Sequence, residues 1–196
     1  ANIRIIITLA ANIHHMPLIK KIEENSCQIA VWEMKESISE LVKLSNNINI
    51  PEFQHERRKK EFLSARILLQ KILPQAQIYY NNYGAPEIQD NQFIAISHSK
   101  KLTAIIISSK KVGLDIEEIT EKAQKISSKF ISKENLPKPS KEMATLIWSC
   151  KEAIFKWHQK GSINFIDDIK ISQTVIKEKG IITANFKNDF YTLHYK

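Results

Sequence analysis

Two short segments of the sequence combine charged residues at spacings that could hold a metal ion beside a phosphate. The first is Gly113–Glu117, Gly-Leu-Asp-Ile-Glu, with carboxylates at its third and fifth positions. Residues two apart on a β-strand project from the same face, so Asp115 and Glu117 could share one ligand. Two close carboxylates repel each other unless a cation lies between them, and Mg²⁺ is commonly held by carboxylates, phosphate oxygens and water. An ordinary acidic strand end explains the same spacing, so both interpretations stay open.

The second segment is Trp148–Lys156, Trp-Ser-Cys-Lys-Glu-Ala-Ile-Phe-Lys, within a predicted helix. On a helix, Trp148, Glu152 and Lys156 follow one another at i, i+4 and i+8 along one side. Glu152 could therefore complete a metal site, and Lys151 and Lys156 could bind a phosphate or pyrophosphate beside the ion. A Glu–Lys surface pair with the tryptophan in the core is the alternative.

Further candidate phosphate contacts lie upstream of these segments. His98 lies in a Ser-His-Ser corner that begins at Ser97, between two predicted strands. Arg58 and Arg66 lie on the polar side of a long amphipathic helix predicted at residues 52–73. A solvated loop histidine and a basic surface stripe are the corresponding alternatives.

The secondary structure predicted around these residues indicates an α+β protein. Their order, β-β-α-β-β followed by β-α-β-β-β, predicts two similar halves at residues 1–109 and 110–196, packed together, with a ligand cleft between them. The predicted helices cover residues 37–44, 52–73, 123–130, 132–136 and 141–160, the last ended by Gly161. The main predicted strands cover residues 4–10, 28–32, 93–97, 102–108, 112–117, 181–186 and 190–195.

Composition limits the class of protein. With 43% hydrophobic and 26% charged residues among 196, the chain has the composition of a soluble globular protein. Cys27 and Cys150 lack the spacing of a disulfide framework or a zinc site. No apolar run approaches the length of a membrane span, and we expect a cytoplasmic protein without a signal peptide. The net charge of +8 favours an acidic partner: a nucleic acid, a phosphorylated small molecule or an acidic protein surface.

Taken together, these segments resemble the 4'-phosphopantetheinyl transferase superfamily, in its monomeric surfactin-synthetase-activating type. The family pattern has a Gly-x-Asp-x-Glu strand followed by a Trp-x-x-Lys-Glu-Ala-x-x-Lys helix, here at residues 113–117 and 148–156. Upstream it has an Arg-rich helix, a Tyr-x-x-Gly-x-Pro turn and a Ser-His-Ser corner, here at residues 57–66, 80–86 and 97–99.

The resemblance implies Mg²⁺-dependent transfer of the phosphopantetheine arm of coenzyme A to a serine of an acidic apo carrier protein, releasing 3',5'-ADP. It implies a monomer of two pseudo-symmetric α+β halves with coenzyme A between them. The implied magnesium ligands are Asp115, Glu117 and Glu152, with Glu152 also the general base. The implied coenzyme A contacts are Lys151 and Lys156 at the pyrophosphate, Lys156 also being catalytic, Ser97 and His98 beside the 3'-phosphate, and Arg58 and Arg66.

One residue departs from the family pattern. The turn usually carries a lysine or arginine before its proline, and Ala85 stands there. Lys100 or Lys101 could substitute for the missing charge, and a coenzyme A-binding relative without transferase activity is one alternative. A nucleic-acid-binding module using residues 57–60 is another, but it leaves the carboxylates unexplained, and its basic residues are not interleaved with aromatic ones.

Overall fold

The computed structural model describes residues 5–9, 18–24, 27–45, 48–132, 136, 138–173 and 175–196. Within that part of the chain, no helix combines the length and the apolar character that crossing a membrane requires. Of the strand predicted at residues 4–10 and the helix predicted at residues 132–136, residues 4, 10 and 133–135 lie outside the described ranges.

Strands and helices together confirm the predicted α+β class. The strands are Ile5–Leu9 (β1), Leu18–Glu24 (β2), Cys27–Glu33 (β3), Tyr79–Tyr80 (β4), Pro86–Glu87 (β5), Phe93–His98 (β6), Leu102–Ser108 (β7), Gly113–Glu117 (β8), Ile169–Ile171 (β9), Gly180–Phe186 (β10) and Asp189–Tyr195 (β11). The helices are Ile38–Leu44 (α1), Glu56–Ile72 (α2), Glu121–Lys125 (α3) and Lys141–His158 (α4), with a 3₁₀ turn at Ser127–Lys129.

The chain divides into two compact units. One contains Ala1–Asn12 and Lys111–Lys196, and the other contains Ile13–Lys110. Strand β1 belongs to the first unit because it pairs in parallel with both β8 and β11. The division into halves at residues 109 and 110, and the pseudo-symmetry between those halves, stay predictions.

The unit of residues 13–110 contains an antiparallel sheet of order β2-β3-β7-β6 and the β4–β5 hairpin. Helix α2 packs against β3 and β7. Its apolar residues at helical spacing enter a core with both strands, which includes Leu63, Ile67, Leu68, Trp32 and Ile105. The same helix carries Arg58 and Arg66 on its polar side.

The unit that holds residues 111–196 contains a mixed sheet of order β8-β1-β11-β10-β9. Helix α4 packs against β8, β1 and β9. Its buried face joins the sheet in a core that includes Leu146, Cys150, Ile154, Ile182 and Leu193. The helix therefore lies beside the edge strand that contains the Gly-x-Asp-x-Glu segment.

Some helix boundaries differ from the predictions. Helix α2 begins at Glu56 rather than at residue 52, because His55 still has extended backbone angles (φ −125°, ψ 127°). Helix α4 ends at His158, because Gln159 adopts the left-handed conformation (φ 62°) two residues before Gly161. The single helix predicted at residues 123–130 is wrong, since α3 and a 3₁₀ turn occupy that stretch.

Candidate active site

Helix α4 and strand β8 are joined by two side-chain contacts. Trp148 Nε1 donates a hydrogen bond to Glu117 Oε1 at 3.2 Å. Lys156 Nζ donates to Asp115 Oδ1 at 2.6 Å. Since Trp148, Glu152 and Lys156 share one side of the helix, the two contacts lie on either side of Glu152 along α4.

Gly113 allows the strand to approach the helix this closely. A Cβ atom at Gly113 would collide with the carbonyl oxygen of Ala153 and would lie 3.0 Å from Trp157 Cβ. Any other residue at the start of β8 would push the strand away from α4. The glycine of the motif is thus required by packing, and it sets the position of the two carboxylates that follow it.

The three carboxyl groups affect one another electrostatically. Asp115 is only 2% exposed, and Glu117 and Glu152 are partly buried. Burial raises the pKa of Glu117, and the charge of Asp115 adds to this increase, while the hydrogen bond from Trp148 opposes it. The pKa of Glu152 is raised to about 7, mainly by burial. The charge of Lys156 lowers this pKa, and the charges of the two β8 carboxylates raise it. The charges of these three acidic residues therefore act on one another, and that the residues form one metal site stays a prediction.

The cluster fits a divalent ion in the type of its ligands. Among the described residues, no group of three or more His, Cys, Asp or Glu side chains is arranged so that it could hold a metal ion. Asp115 bonds to Lys156, and Glu117 bonds to Trp148. Carboxylate oxygens are nevertheless the ligands that Mg²⁺ prefers, and an ion would offset the mutual repulsion of the cluster.

Lys151 lies on a different side of α4 from Glu152, because consecutive helical residues point about 100° apart. It is 4% exposed. Its ammonium donates to the carbonyl oxygens of Phe165 and Ile169, the latter at 2.6 Å. Burial lowers its pKa to about 8. The side chain lines a cavity of about 930 Å³, together with Met143 on α4 and other residues. In this structure Lys151 holds the main chain just before β9 and at the first residue of that strand, and its bonds are to carbonyl oxygens rather than to the carboxylates.

The predicted 3'-phosphate contacts lie in the unit of residues 13–110. His98 Nε2 lies 3.0 Å from the carbonyl oxygen of Glu61, and Ser97 is buried beside it in β6. Arg58 Nη1 donates to Glu61 Oε2 at 3.0 Å, and Arg57 Nε donates to Glu61 Oε1 at 2.8 Å. Glu61 thus joins the arginines of α2 to the histidine of β6, and it is only 5% exposed.

Arg66 has a different environment from Arg58. Its guanidinium lies 3.4 Å above the ring of Phe62 and donates to the Phe62 carbonyl oxygen at 3.2 Å. Burial lowers its pKa. It lines a cavity of about 510 Å³ in the same unit, together with Leu69 and Ile78. A positive charge therefore lies at the wall of a partly apolar cavity.

Two of these contacts are not foreseen from the sequence. The hydrogen bond from Trp148 to Glu117 is one, although the i, i+4 spacing of Trp148 and Glu152 is a signal that could have revealed it. The role of Glu61 is the other. The i, i+4 and i, i+3 spacings from Arg57 and Arg58 indicate ion pairs, but they do not reveal the contact with His98.

Comparison with known proteins finds a family model that matches the part of the chain containing these residues. No curated protein matches the sequence. Residues 111–196 match the model of the 4'-phosphopantetheinyl transferase superfamily. The matched stretch contains β8 and α4, and thus all three carboxylates, Trp148 and Lys156. The similarity to this superfamily therefore extends over residues 111–196 of the chain.

Proposed function

We propose that the chain transfers the 4'-phosphopantetheine group of coenzyme A to a serine of an apo carrier protein, as a transferase of the surfactin-synthetase-activating type. One observation carries the proposal. Glu152, whose pKa is raised to about 7, lies with the two β8 carboxylates and between the Trp148 and Lys156 contacts. The match of residues 111–196, which contain this cluster, to the superfamily model supports the proposal.

The reaction needs a base, because a serine hydroxyl is a weak nucleophile at neutral pH. The serine oxygen forms a bond to the β-phosphorus of coenzyme A, and the bond from that phosphorus to the bridging oxygen breaks. The leaving group is 3',5'-ADP, and Glu152 takes the serine proton. A carboxylate held on a metal ion is a weak base, so the position of Glu152 contributes more to this step than its pKa does.

Charge on the pyrophosphate must be neutralised as the leaving group departs. Lys156 is the proposed lysine for this role, since its ammonium already lies at the carboxylate cluster and its side chain is 24% exposed. Asp115, Glu117 and Glu152 would hold Mg²⁺, which supplies electrophilic activation of the phosphoryl oxygens when it is bound. Lys151 has no comparable support for a pyrophosphate contact, because its ammonium is buried against main-chain carbonyls.

The proposed coenzyme A contacts in the other unit are Arg58, Arg66, Ser97 and His98. The support for Arg66 is its guanidinium at the wall of a cavity, which could receive a planar or anionic group. An acidic carrier protein is the proposed acceptor, and the net charge of +8 would accelerate its association. We propose that the protein acts as a monomer in the cytoplasm.

The test is incubation of the purified protein with coenzyme A, Mg²⁺ and several apo carrier proteins. Intact mass should show a carrier protein heavier by one phosphopantetheine, and chromatography should show 3',5'-ADP in equal amount. Glu152→Gln should bind coenzyme A but produce no holo carrier protein. Chelation of divalent ions should stop the reaction of the wild-type protein, and added Mg²⁺ should restore it.

The same experiment separates the alternatives. Binding of coenzyme A by calorimetry without transfer to any carrier protein would indicate a binding relative that has lost activity. If the protein neither binds coenzyme A nor transfers phosphopantetheine, and instead binds oligonucleotides in a salt-sensitive way, the nucleic-acid-binding alternative would be favoured. Either outcome would contradict the proposed function.

A further inference from the structure

The cavity of about 930 Å³ lies within the unit that holds residues 111–196, on a different side of α4 from Glu152. Met143, Ile147 and Lys151 line it from the helix. They follow one another at i, i+4 and i+8, so they form a stripe along one side of α4. The stripe that carries Glu152 is displaced from this one by about 100° around the helix axis. The volume of the cavity is in the range typical of small-molecule sites.

Apolar side chains from three parts of the unit form much of the cavity wall. Helix α4 contributes Met143 and Ile147, the segment before α4 contributes Leu136, and the segment around β9 contributes Ile166 and Ile171. Each of these five residues is only partly buried. They therefore keep apolar surface that a hydrocarbon chain would remove from water, which is favourable.

Lys151 places a buried positive charge at the wall of this cavity. The residue is 4% exposed, and a lysine is rarely buried to this extent unless an anion pairs with it. Within the described part of the chain, its ammonium donates to the carbonyl oxygens of Phe165 and Ile169, and to no carboxylate. An ammonium has three N–H groups, so one remains for a ligand.

The charge of the cavity lining limits the kind of ligand. Asp167 and Lys170 are the other charged residues of the lining, and their charges cancel, so Lys151 leaves a net charge of +1. Lys170 is held by its own main chain, since its ammonium donates to the carbonyl oxygen of Ile166 at 2.7 Å. One positive charge with one remaining N–H group matches a carboxylate. A phosphate dianion would need several donors to replace its water.

We propose that this cavity binds an aliphatic monocarboxylate, with the carboxylate at the Lys151 ammonium and the hydrocarbon chain against Met143, Ile147 and the other apolar walls. The negative charge would offset the cost of keeping the ammonium out of water. The inference goes beyond the proposed function, because no step of phosphopantetheine transfer uses this cavity. Its test therefore does not require transferase activity.

The main measurement is nuclear magnetic resonance of the full chain with methyl-labelled methionine, titrated with octanoate. Met143 reports on the cavity, and Met34, which packs on the core of the other unit, is the internal control. Met143→Leu assigns the Met143 signal. Octanoate should shift this signal and leave that of Met34 unchanged. From butanoate to octanoate, the affinity should rise by up to about fourfold for each CH₂ group, the equivalent of about 0.8 kcal/mol.

A second measurement separates the charge from the chain. In wild type, octanoate should bind about fivefold more tightly than octanol, because its carboxylate pairs with the ammonium. Lys151→Met removes the charge and keeps a side chain of similar length. It should bind octanoate about tenfold more weakly than wild type and octanol equally well. Lys141→Met is the matched control, because Lys141 is an exposed lysine on the same helix that does not line the cavity, and it should leave both affinities unchanged.

The outcomes that would overturn the inference are specific. An unchanged Met143 signal in octanoate would refute it, and so would equal octanoate affinities of Lys151→Met and wild type. Octanol that binds wild type as tightly as octanoate would also refute it, and this comparison needs no variant. Displacement of octanoate by coenzyme A, with a shift of the Met143 signal, would assign the cavity to coenzyme A and overturn the inference.

Discussion

The metal-free carboxylate cluster should destabilise the folded protein at neutral pH, and Glu152→Gln should relieve this. The pKa of Glu152 is raised from 4.5 to about 7, with burial as the main cause. Between these values the folded protein binds more protons than the unfolded chain, so the free energy of unfolding falls as pH rises. The raised pKa of Glu117 acts in the same direction.

The size of the effect follows from the difference in pKa. About 2.5 units at 1.36 kcal/mol each correspond to about 3 kcal/mol at pH 8, as an upper limit for a partly buried group. At pH 5 the same difference costs only about 1 kcal/mol, because pH 5 is close to the pKa of the unfolded carboxyl group, which therefore gains little free energy by ionising. The advantage of Glu152→Gln over wild type should therefore grow by about 2 kcal/mol between pH 5 and pH 8.

The assay is urea unfolding of wild type and Glu152→Gln at several pH values in the presence of a chelator. Glu178→Gln is the control, because Glu178 is exposed on the same unit and its substitution should leave the wild-type pH dependence unchanged. Millimolar Mg²⁺ should raise the stability of wild type at pH 8 and have less effect on Glu152→Gln. Parallel curves for wild type and Glu152→Gln in chelator would show that the pKa of Glu152 is not raised in the folded protein, and would refute the reasoning.

Three further predictions follow from other contacts. Gly113→Ala should reduce the free energy of unfolding by about 1–3 kcal/mol, because the added Cβ collides with the Ala153 carbonyl oxygen. Urea unfolding measures this change, and an unchanged urea midpoint would contradict the close approach of β8 and α4. The stability of wild type should rise between about pH 8 and 10.5, because in this range the unfolded chain binds more protons at Lys151 than the folded protein does, and Lys151→Met should remove this rise. Equal pH dependence of both proteins by thermal unfolding would contradict the buried position of the ammonium. Arg66→Met should weaken coenzyme A binding about tenfold by calorimetry, as expected for loss of one charged hydrogen-bond donor. Lys71→Met changes an exposed residue on the same helix and should leave the affinity unchanged. Equal affinities of Arg66→Met and wild type would show that Arg66 does not contact coenzyme A.

The parts of the fold that follow from short-range patterns could be predicted. Ser37 and Glu40 form the capping box expected at the start of α1, and α2 and α4 lie where apolar residues recur at helical spacing. The end of α4 could not be predicted from the sequence. Glycine adopts the left-handed conformation more readily than glutamine does, so the sequence favours Gly161 as the end of the helix, whereas Gln159 adopts that conformation in the structure. The insertion of β1 between β8 and β11 could not be predicted either, since it joins segments more than a hundred residues apart.

The same distinction applies to the site. Period-two and i, i+4 spacings are enough to predict that Asp115 and Glu117 share a face, and that Glu152 and Lys156 share a helix side. They do not show what occupies the neighbouring sides. Lys151 belongs to the same motif as Lys156, but it is buried against the carbonyl oxygens of Phe165 and of Ile169, the first residue of β9, because that side of α4 packs against the rest of its own unit.

The spacing of the two motifs can be read as the geometry of one contact between β8 and α4. Gly113 lacks a side chain where the strand meets the helix backbone at Ala153, and Ala153 is fully buried there. Two residues later along β8, Asp115 meets Lys156, and after two more residues Glu117 meets Trp148. The strand runs toward Trp148 while the helix runs toward Lys156, so the two elements are antiparallel at the site, and Glu152 lies midway along the helix between these contacts. Each fixed position in the two motifs except Lys151 therefore either permits this contact or contributes a group to it. A shift of either motif by one residue would separate the carboxylates, which explains why the residue types occur at these spacings.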